Sequence, residues 1–275
     1  NVLPTKNFQL PIDKDAVIAH QVVPKTWEDS IPEKLEWTYN KNYVSRAELG
    51  LMSLLVNNNW ERPVYFFSRM PEEHTMGLNK YLVSEGLVHR LMPVERGQPT
   101  EQPTLVNMDT LYENITQKLQ WGNLNQLAHV DTDSRFIYEN FVYPDVLHLA
   151  LQELRQQDEL DKAGRVAAIA YQERPKQVNN RTQVYQNTLV IDTLYKTKQS
   201  NEANTMLQQN LAYLAADMDY KASVYASKQE LDVRNIRLGM TTLAMYTEML
   251  QEEKYPALLA EVQALDQKYH QIFGQ

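Results

Sequence analysis

The chain has 275 residues, of which 43% are hydrophobic and 23% are charged, the composition of a globular protein that can bury a core. Its formal net charge of −8 argues against nucleic acid or an anionic membrane surface as the main partner. Because the sequence contains no cysteine, it excludes a disulfide framework, a thiolate zinc site and a cysteine nucleophile.

The first part of the chain alternates short strand and helix patterns. Asn7–Ile12 and Leu35–Tyr39 alternate apolar and polar residues with period two, which predicts strands. Ser45 and Glu48 have the spacing of a capping box and open a helix that the asparagines at 57–59 end. We expect the inward face of that helix to carry Leu49, Met52, Leu55 and Val56.

The most hydrophobic stretch follows that helix. Val64–Phe67 is predicted to be a central strand, Met76–Leu87 a short helix closed by Gly86, and Leu87–Val94 a strand that returns to the same sheet. Asn107 or Asp109 would cap the next helix. This alternation predicts a small mixed α/β domain over residues 1–130.

From residue 131 to the end, the sequence has helical periodicity. Short polar turns join the predicted helices in pairs, which suggests an all-α domain of tetratricopeptide-like hairpins over residues 131–275. An irregular helical bundle is the alternative. The fold class is therefore α+β. The predicted helices are Ser134–Gln156, Glu159–Glu173, Thr182–Gln199, Asn201–Asp217, Gln229–Glu252 and Pro256–Phe273.

The sequence offers no recognisable catalytic machinery. Phosphate-binding loops, the GxSxG nucleophile motif and the HExxH zinc motif are all absent from it, and its six histidines lack ligand spacing. We therefore assign no catalytic residue, no cofactor and no metal site, and we leave open whether the chain is part of an enzyme.

One constellation is a candidate binding site. A guanidinium beside aromatic and amide groups can bind a carboxylate, a phosphate or a sugar. The alternative is a turn clamp, in which Asn and Arg side chains hold backbone carbonyls at the strand entrance. The candidate residues are Asn59, Trp60, Arg62, Tyr65 and Arg90.

Three motifs carry a resemblance to a known family. They read NNNWERPVYF at 57–66, LNKYL at 78–82 and EGLVHRLMPV at 85–94. In these motifs the chain resembles the C-terminal soluble region of large bacterial membrane proteins. These proteins form the family of domain of unknown function 2723 and are related to TMEM-type protein O-mannosyltransferases. The resemblance extends over residues 7–135, and the helical remainder agrees in kind.

The resemblance implies a function for the whole protein. Family members begin with many transmembrane helices that use a lipid-linked sugar donor, and their catalytic carboxylate lies in that membrane part. This chain would be a non-catalytic accessory domain on the periplasmic or extracytoplasmic face, tethered by upstream helices. Its partners would be the parent membrane domain and an acceptor protein or glycan. The first residue is Asn1 and no signal segment follows it, which fits a piece of a longer protein.

Two other functions remain open. The chain could be a stand-alone secreted scaffold that binds partners through its helical hairpins. It could also be a soluble carbohydrate-active enzyme, which would need two carboxylates facing each other in an open cleft.

Overall fold

The computed structural model describes residues 5–94, 105–127, 129–178, 180–226, 233–253 and 255–273. Contacts within the chain divide it into two compact units, Asn1–Leu111 and Tyr112–Gln275. The first unit mixes strands and helices and the second is helical, so the predicted α+β fold class is confirmed. The domain boundary at residue 130 stays a prediction.

The first unit begins with a pair of antiparallel strands. β1 (Asn7–Pro11) pairs with β2 (Lys34–Thr38), as predicted, and Phe8 lies opposite Trp37. Their rings stack with centroids 5.6 Å apart. The connection between the strands contains α1 (Lys14–Ala19) and a 3₁₀ helix at Lys25–Ser30.

The predicted capping box opens α2 (Arg46–Asn57). The Glu48 backbone N–H donates to the Ser45 hydroxyl oxygen at 3.2 Å, and the Ser45 backbone N–H donates to the Glu48 carboxylate at 2.7 Å. The predicted inward face is partly wrong. Leu55 is buried, but Leu49 and Val56 are exposed, and Leu51 packs against the core in their place.

A second sheet follows the order β3-β5-β4-β6. The strand predicted at Val64–Phe67 is present, but it forms the edge of this sheet rather than its centre. β4 lies between two other strands and all its residues are buried. The strands are β3 (Tyr65–Phe67), β4 (Leu82–Ser84), β5 (Val88–Leu91) and β6 (Leu105–Val106).

The prediction of a helix over Met76–Leu87 is wrong. The segment contains one 3₁₀ turn, Asn79–Tyr81, and then β4, which turns at Gly86 (φ +107°) into β5. Tertiary contacts override the helical spacing here. β4 pairs with strands on both sides, and the Tyr81 hydroxyl accepts from the Glu36 N–H at 2.8 Å and donates to the Glu36 carbonyl at 3.1 Å.

At the junction of the two units lies α3 (Met108–Glu113), which continues as a π-helical turn at Asn114–Lys118. Asn107 caps it, because its side-chain oxygen accepts from the Thr110 N–H at 3.4 Å.

The helices predicted for the second unit are present, but the fourth, predicted to end at Asp217, continues to Ala226. The first contains a π-helical stretch, Tyr138–His148, with Pro144 inside it, where a proline without an N–H interrupts α-helical bonding. Gln229, where the fifth helix is predicted to begin, lies outside the described residues. The helices are α4 (Thr132–Ile137), α5 (Leu149–Gln156), α6 (Leu160–Glu173), α7 (Arg181–Lys196), α8 (Ser200–Ala226), α9 (Val233–Glu252) and α10 (Pro256–Phe273).

Three hairpin turns use the same backbone hydrogen bond. In each, a backbone N–H at the end of the turn donates to the carbonyl of a leucine five residues earlier. The three bonds are Glu159 to Leu154 (2.8 Å), Gln199 to Leu194 (2.8 Å) and Tyr255 to Leu250 (3.1 Å). These turns join α5 to α6, α7 to α8 and α9 to α10. The pairing into hairpins is therefore present, whereas the tetratricopeptide assignment stays a prediction.

Buried side chains link the central helices of the second unit. The Asn187 amide donates to the Asn210 oxygen at 3.0 Å, and the Asn210 amide donates to the Tyr246 hydroxyl at 2.7 Å. These residues belong to α7, α8 and α9. No helix within the described ranges is both long enough and apolar enough to cross a membrane.

We predict that Gly77→Ala destabilises the first unit by at least about 2 kcal/mol in urea unfolding. Gly77 has φ +81°, and an added Cβ would clash with the Thr38 carbonyl oxygen. The control is Gly50→Ala on an exposed, open face of α2, which we expect to raise the free energy of unfolding by about 0.5–1 kcal/mol. Equal effects of both substitutions would contradict the close packing at Gly77.

The capping box predicts a loss of stability in acid. Burial raises the pKa of Glu48, but hydrogen bonds from Ser45 and Lys41 outweigh it and lower the pKa to about 2 from 4.5. The stabilisation is complete above pH 4.5 and is lost as the pH falls towards 2. We expect Glu48→Gln to flatten the pH dependence of unfolding there by at most about 1.4 kcal/mol per pH unit. An unchanged slope would contradict this role of Glu48.

Candidate functional site

The predicted candidate residues begin at the turn after α2. Asn59 and Trp60 have positive φ angles of 42° and 62°, so the chain reverses through two left-handed residues. Asn58 holds this turn: its amide donates to the Arg62 carbonyl at 2.7 Å, and its oxygen accepts from the Arg62 N–H at 3.2 Å. The turn clamp therefore exists, but it is made by the Asn58 side chain on the Arg62 backbone.

The side chains of this turn point to different surroundings. Trp60 is partly buried and packs against two apolar clusters, one around Leu35 and Leu82 and the other around Val17 and Met92. Asn59 and Arg62 are exposed. Trp60 thus contributes to the core, and the turn does not gather the three side chains into one pocket.

Two of the candidate residues meet across the sheet. Tyr65 on β3 lies directly opposite Arg90 on β5, and directly opposed residues of antiparallel strands point to the same face. Tyr65 is 47% exposed, whereas the Arg90 side chain keeps only 17% of its surface. Among the candidate residues, Arg90 is therefore the one with a mostly buried, charged side chain.

A buried polar network surrounds Arg90. Its Nη1 lies 4.0 Å from the Glu85 carboxylate, which accepts a hydrogen bond from the Asn107 amide at 3.0 Å. Glu85 and Asn107 are both buried. The Nε of Arg90 is buried without a hydrogen-bond partner among the described residues. An unsatisfied buried donor is costly to the fold.

Arg90 and Asn107 line an open cleft of about 550 Å³ in the first unit. The 3₁₀ helix at Lys25–Ser30 supplies Lys25, Thr26 and Glu28, and Asp109 lies at the start of α3. The lining combines cationic and amide donors with carboxylate acceptors, which suits a hydroxyl-rich or anionic group. The segment 21–28 was not found by sequence analysis, because this segment is close to Arg90 only in the folded chain.

The described residues hold no group of three or more His, Asp or Glu side chains that could bind a metal ion.

The N-terminal part of the chain is similar to a known family. Residues 1–110 match the family model of TMEM260-associated domain 2. The matched residues end one position before the end of the first compact unit at Leu111, so they include the cleft and every candidate residue. This match suggests a relationship to TMEM260-type membrane proteins. Neither the curated proteins nor the solved structures contain a significant match to the chain.

For the first unit, we predict that Arg90→Met destabilises the fold by about 2 kcal/mol in urea unfolding. The substitution leaves the buried Glu85 carboxylate without its neighbouring cation. Arg62→Met is the matched control, and we expect it to change stability by less than about 0.5 kcal/mol because Arg62 is exposed. Adding Glu85→Gln to Arg90→Met should restore part of the loss. Equal losses from both single substitutions would contradict the network.

Proposed function

We propose that the chain is an extracytoplasmic accessory region of a membrane glycosyltransferase-like protein, in a family of the domain of unknown function 2723 type. The observation that carries this proposal is the match of residues 1–110 to TMEM260-associated domain 2. The three motifs at 57–66, 78–82 and 85–94 lie inside the matched residues and support the same relationship.

In this proposal the chain binds and does not catalyse. The membrane part of the parent protein would transfer the sugar, and this region would bind an acceptor polypeptide or glycan. The cleft supports such a role, because Arg90, Lys25 and Asn107 offer N–H donors and Glu28 and Asp109 offer acceptors. A mixture of donors and acceptors matches the hydroxyl groups of a glycan.

The parent membrane domain would be the second partner, joined to this chain by transmembrane helices upstream in the same polypeptide. Asn59 and Arg62 have exposed side chains in the turn after α2 and are available for that contact. The location would be the periplasmic face of a bacterial membrane.

A stand-alone secreted scaffold is the second candidate. One observation favours it: the helical unit, Tyr112–Gln275, lies beyond the matched residues. Such a scaffold would bind its partners through the helical hairpins, and its function would not depend on a membrane part.

The test is the size, fractionation and topology of the native protein, detected with an antibody raised against this chain. We expect a polypeptide much larger than the 32.0 kDa of the chain, recovered with membranes and cleaved by protease added to intact spheroplasts. A cytoplasmic protein probed in the same samples should stay uncleaved. A soluble polypeptide of about 32.0 kDa would contradict the accessory-region proposal and favour the scaffold.

A further inference from the structure

The second unit contains a groove built from the first helix of each hairpin. It has a volume of about 470 Å³, and its lining residues come from the His148–Gln152 stretch, from α7 and from α9. We call it the α5/α7/α9 groove. The partner helices of the hairpins, α6, α8 and α10, do not contribute to its lining.

The groove has apolar surface beside polar side chains. Leu189 of α7 and Met245 and Met249 of α9 give apolar contacts, and Tyr185 stands at the edge with 43% of its surface exposed. Methionine side chains adapt to differently shaped apolar groups. Such a surface fits side chains of a polypeptide better than it fits a rigid, fully polar ligand.

The charges on the groove are unequal. The lining contains three carboxylates, Asp192, Glu248 and Glu252, and one ammonium group, Lys196. Asp192 lies 2.5 Å from Arg155 and 3.4 Å from Lys196, so its charge is compensated. Lys196 lies 4.0 Å from Glu252. Even when Arg155 is counted with the lining, the groove has three carboxylates and two cations. Two of the carboxylates, Glu248 and Glu252, are exposed.

A buried imidazole adds an unsatisfied group. The Nδ1 of His148 is buried and has no hydrogen-bond partner among the described residues. Burial also lowers the pKa of His148, which keeps the ring neutral near pH 7, so it does not offset the carboxylates.

We propose that the α5/α7/α9 groove binds an extended polypeptide segment in which Lys or Arg residues alternate with apolar residues. The excess of carboxylates selects cations, and the leucine and methionine side chains bind the apolar residues between them. A second copy of the chain is a poor occupant, because each copy carries a net charge of −8. The inference rests on the proposed function, since it names the class of polypeptide that the accessory region binds.

The experiment measures the binding of a short fluorescein-labelled peptide of alternating Lys and Leu residues to the full chain by fluorescence anisotropy. We expect saturable binding of this Lys peptide that weakens as the salt concentration rises. A peptide with Glu in place of each Lys, called the Glu peptide, should bind at least about tenfold more weakly than the Lys peptide. The variant Glu248→Gln/Glu252→Gln should weaken the Lys peptide about tenfold, because it removes two exposed carboxylates of the groove.

The matched control is Glu33→Gln/Glu261→Gln, which removes two exposed carboxylates outside the groove and gives the same net charge. It should leave the affinity unchanged. Met245→Lys, which places a cation among the apolar side chains of the groove, should weaken the Lys peptide more than tenfold while the urea unfolding transition is retained. Equal affinity of the Glu and Lys peptides, or equal losses in the two double variants, would overturn the inference.

The two proposals fail in different ways. If the native protein is an extracytoplasmic membrane protein and the chain does not bind the Lys peptide, only the groove inference is overturned. If the peptide binds as expected but the native protein is soluble and small, the accessory-region proposal is overturned and the groove belongs to a scaffold. A dimer of the full chain that Glu248→Gln/Glu252→Gln dissociates would overturn the inference in favour of self-association.

Discussion

The arrangement of the helical unit depends on a short chain of buried hydrogen bonds between α7, α8 and α9. Asn187 donates to Asn210, Asn210 donates to Tyr246, and the Tyr246 hydroxyl donates to the Val184 carbonyl at 3.2 Å. All three side chains are buried, so any shift of one helix along another would leave polar groups without partners. This requirement specifies one register for the three helices. The α5/α7/α9 groove depends on the same register, because its apolar residues lie on α7 and α9.

The same constraint acts in the first unit at a smaller scale. Glu85 is buried, and it is tolerated there because Asn107 donates to it and Arg90 lies beside it. Asn107 also caps α3, so a single side chain fixes the helix start and orients the carboxylate. The cleft is therefore built from groups that the fold already holds in place. Preorganised groups lose less entropy when a ligand binds, which makes this cleft the better candidate than the exposed turn at Asn59.

The two candidate sites differ in chemistry and in their relation to known proteins. The cleft of the first unit offers mixed donors and acceptors and lies within the residues that match TMEM260-associated domain 2. The groove of the second unit offers apolar contacts and an excess of carboxylates, and it lies beyond the matched residues. A glycan suits the first chemistry and a cationic polypeptide suits the second. Under the proposed function, an accessory region that binds a glycosylation acceptor would use both.

The sequence by itself determined the features that depend on neighbours within a few residues. These are the capping box at Ser45 and Glu48, the two strands of the first sheet, and the helices that follow residue 131. The sequence also placed Tyr65 and Arg90 on strands of one sheet, but it did not indicate which residues join Arg90 in the cleft. Only the tertiary structure decided that the stretch Met76–Leu87 contains a strand, because the pairing of β4 with β5 and β6 outweighs a helical spacing that is locally acceptable. It also decided that Lys25 and Asn107 join Arg90, and that α5, α7 and α9 share a groove. Contacts between residues far apart in the chain leave no periodic signal, since each depends on the packing of whole elements.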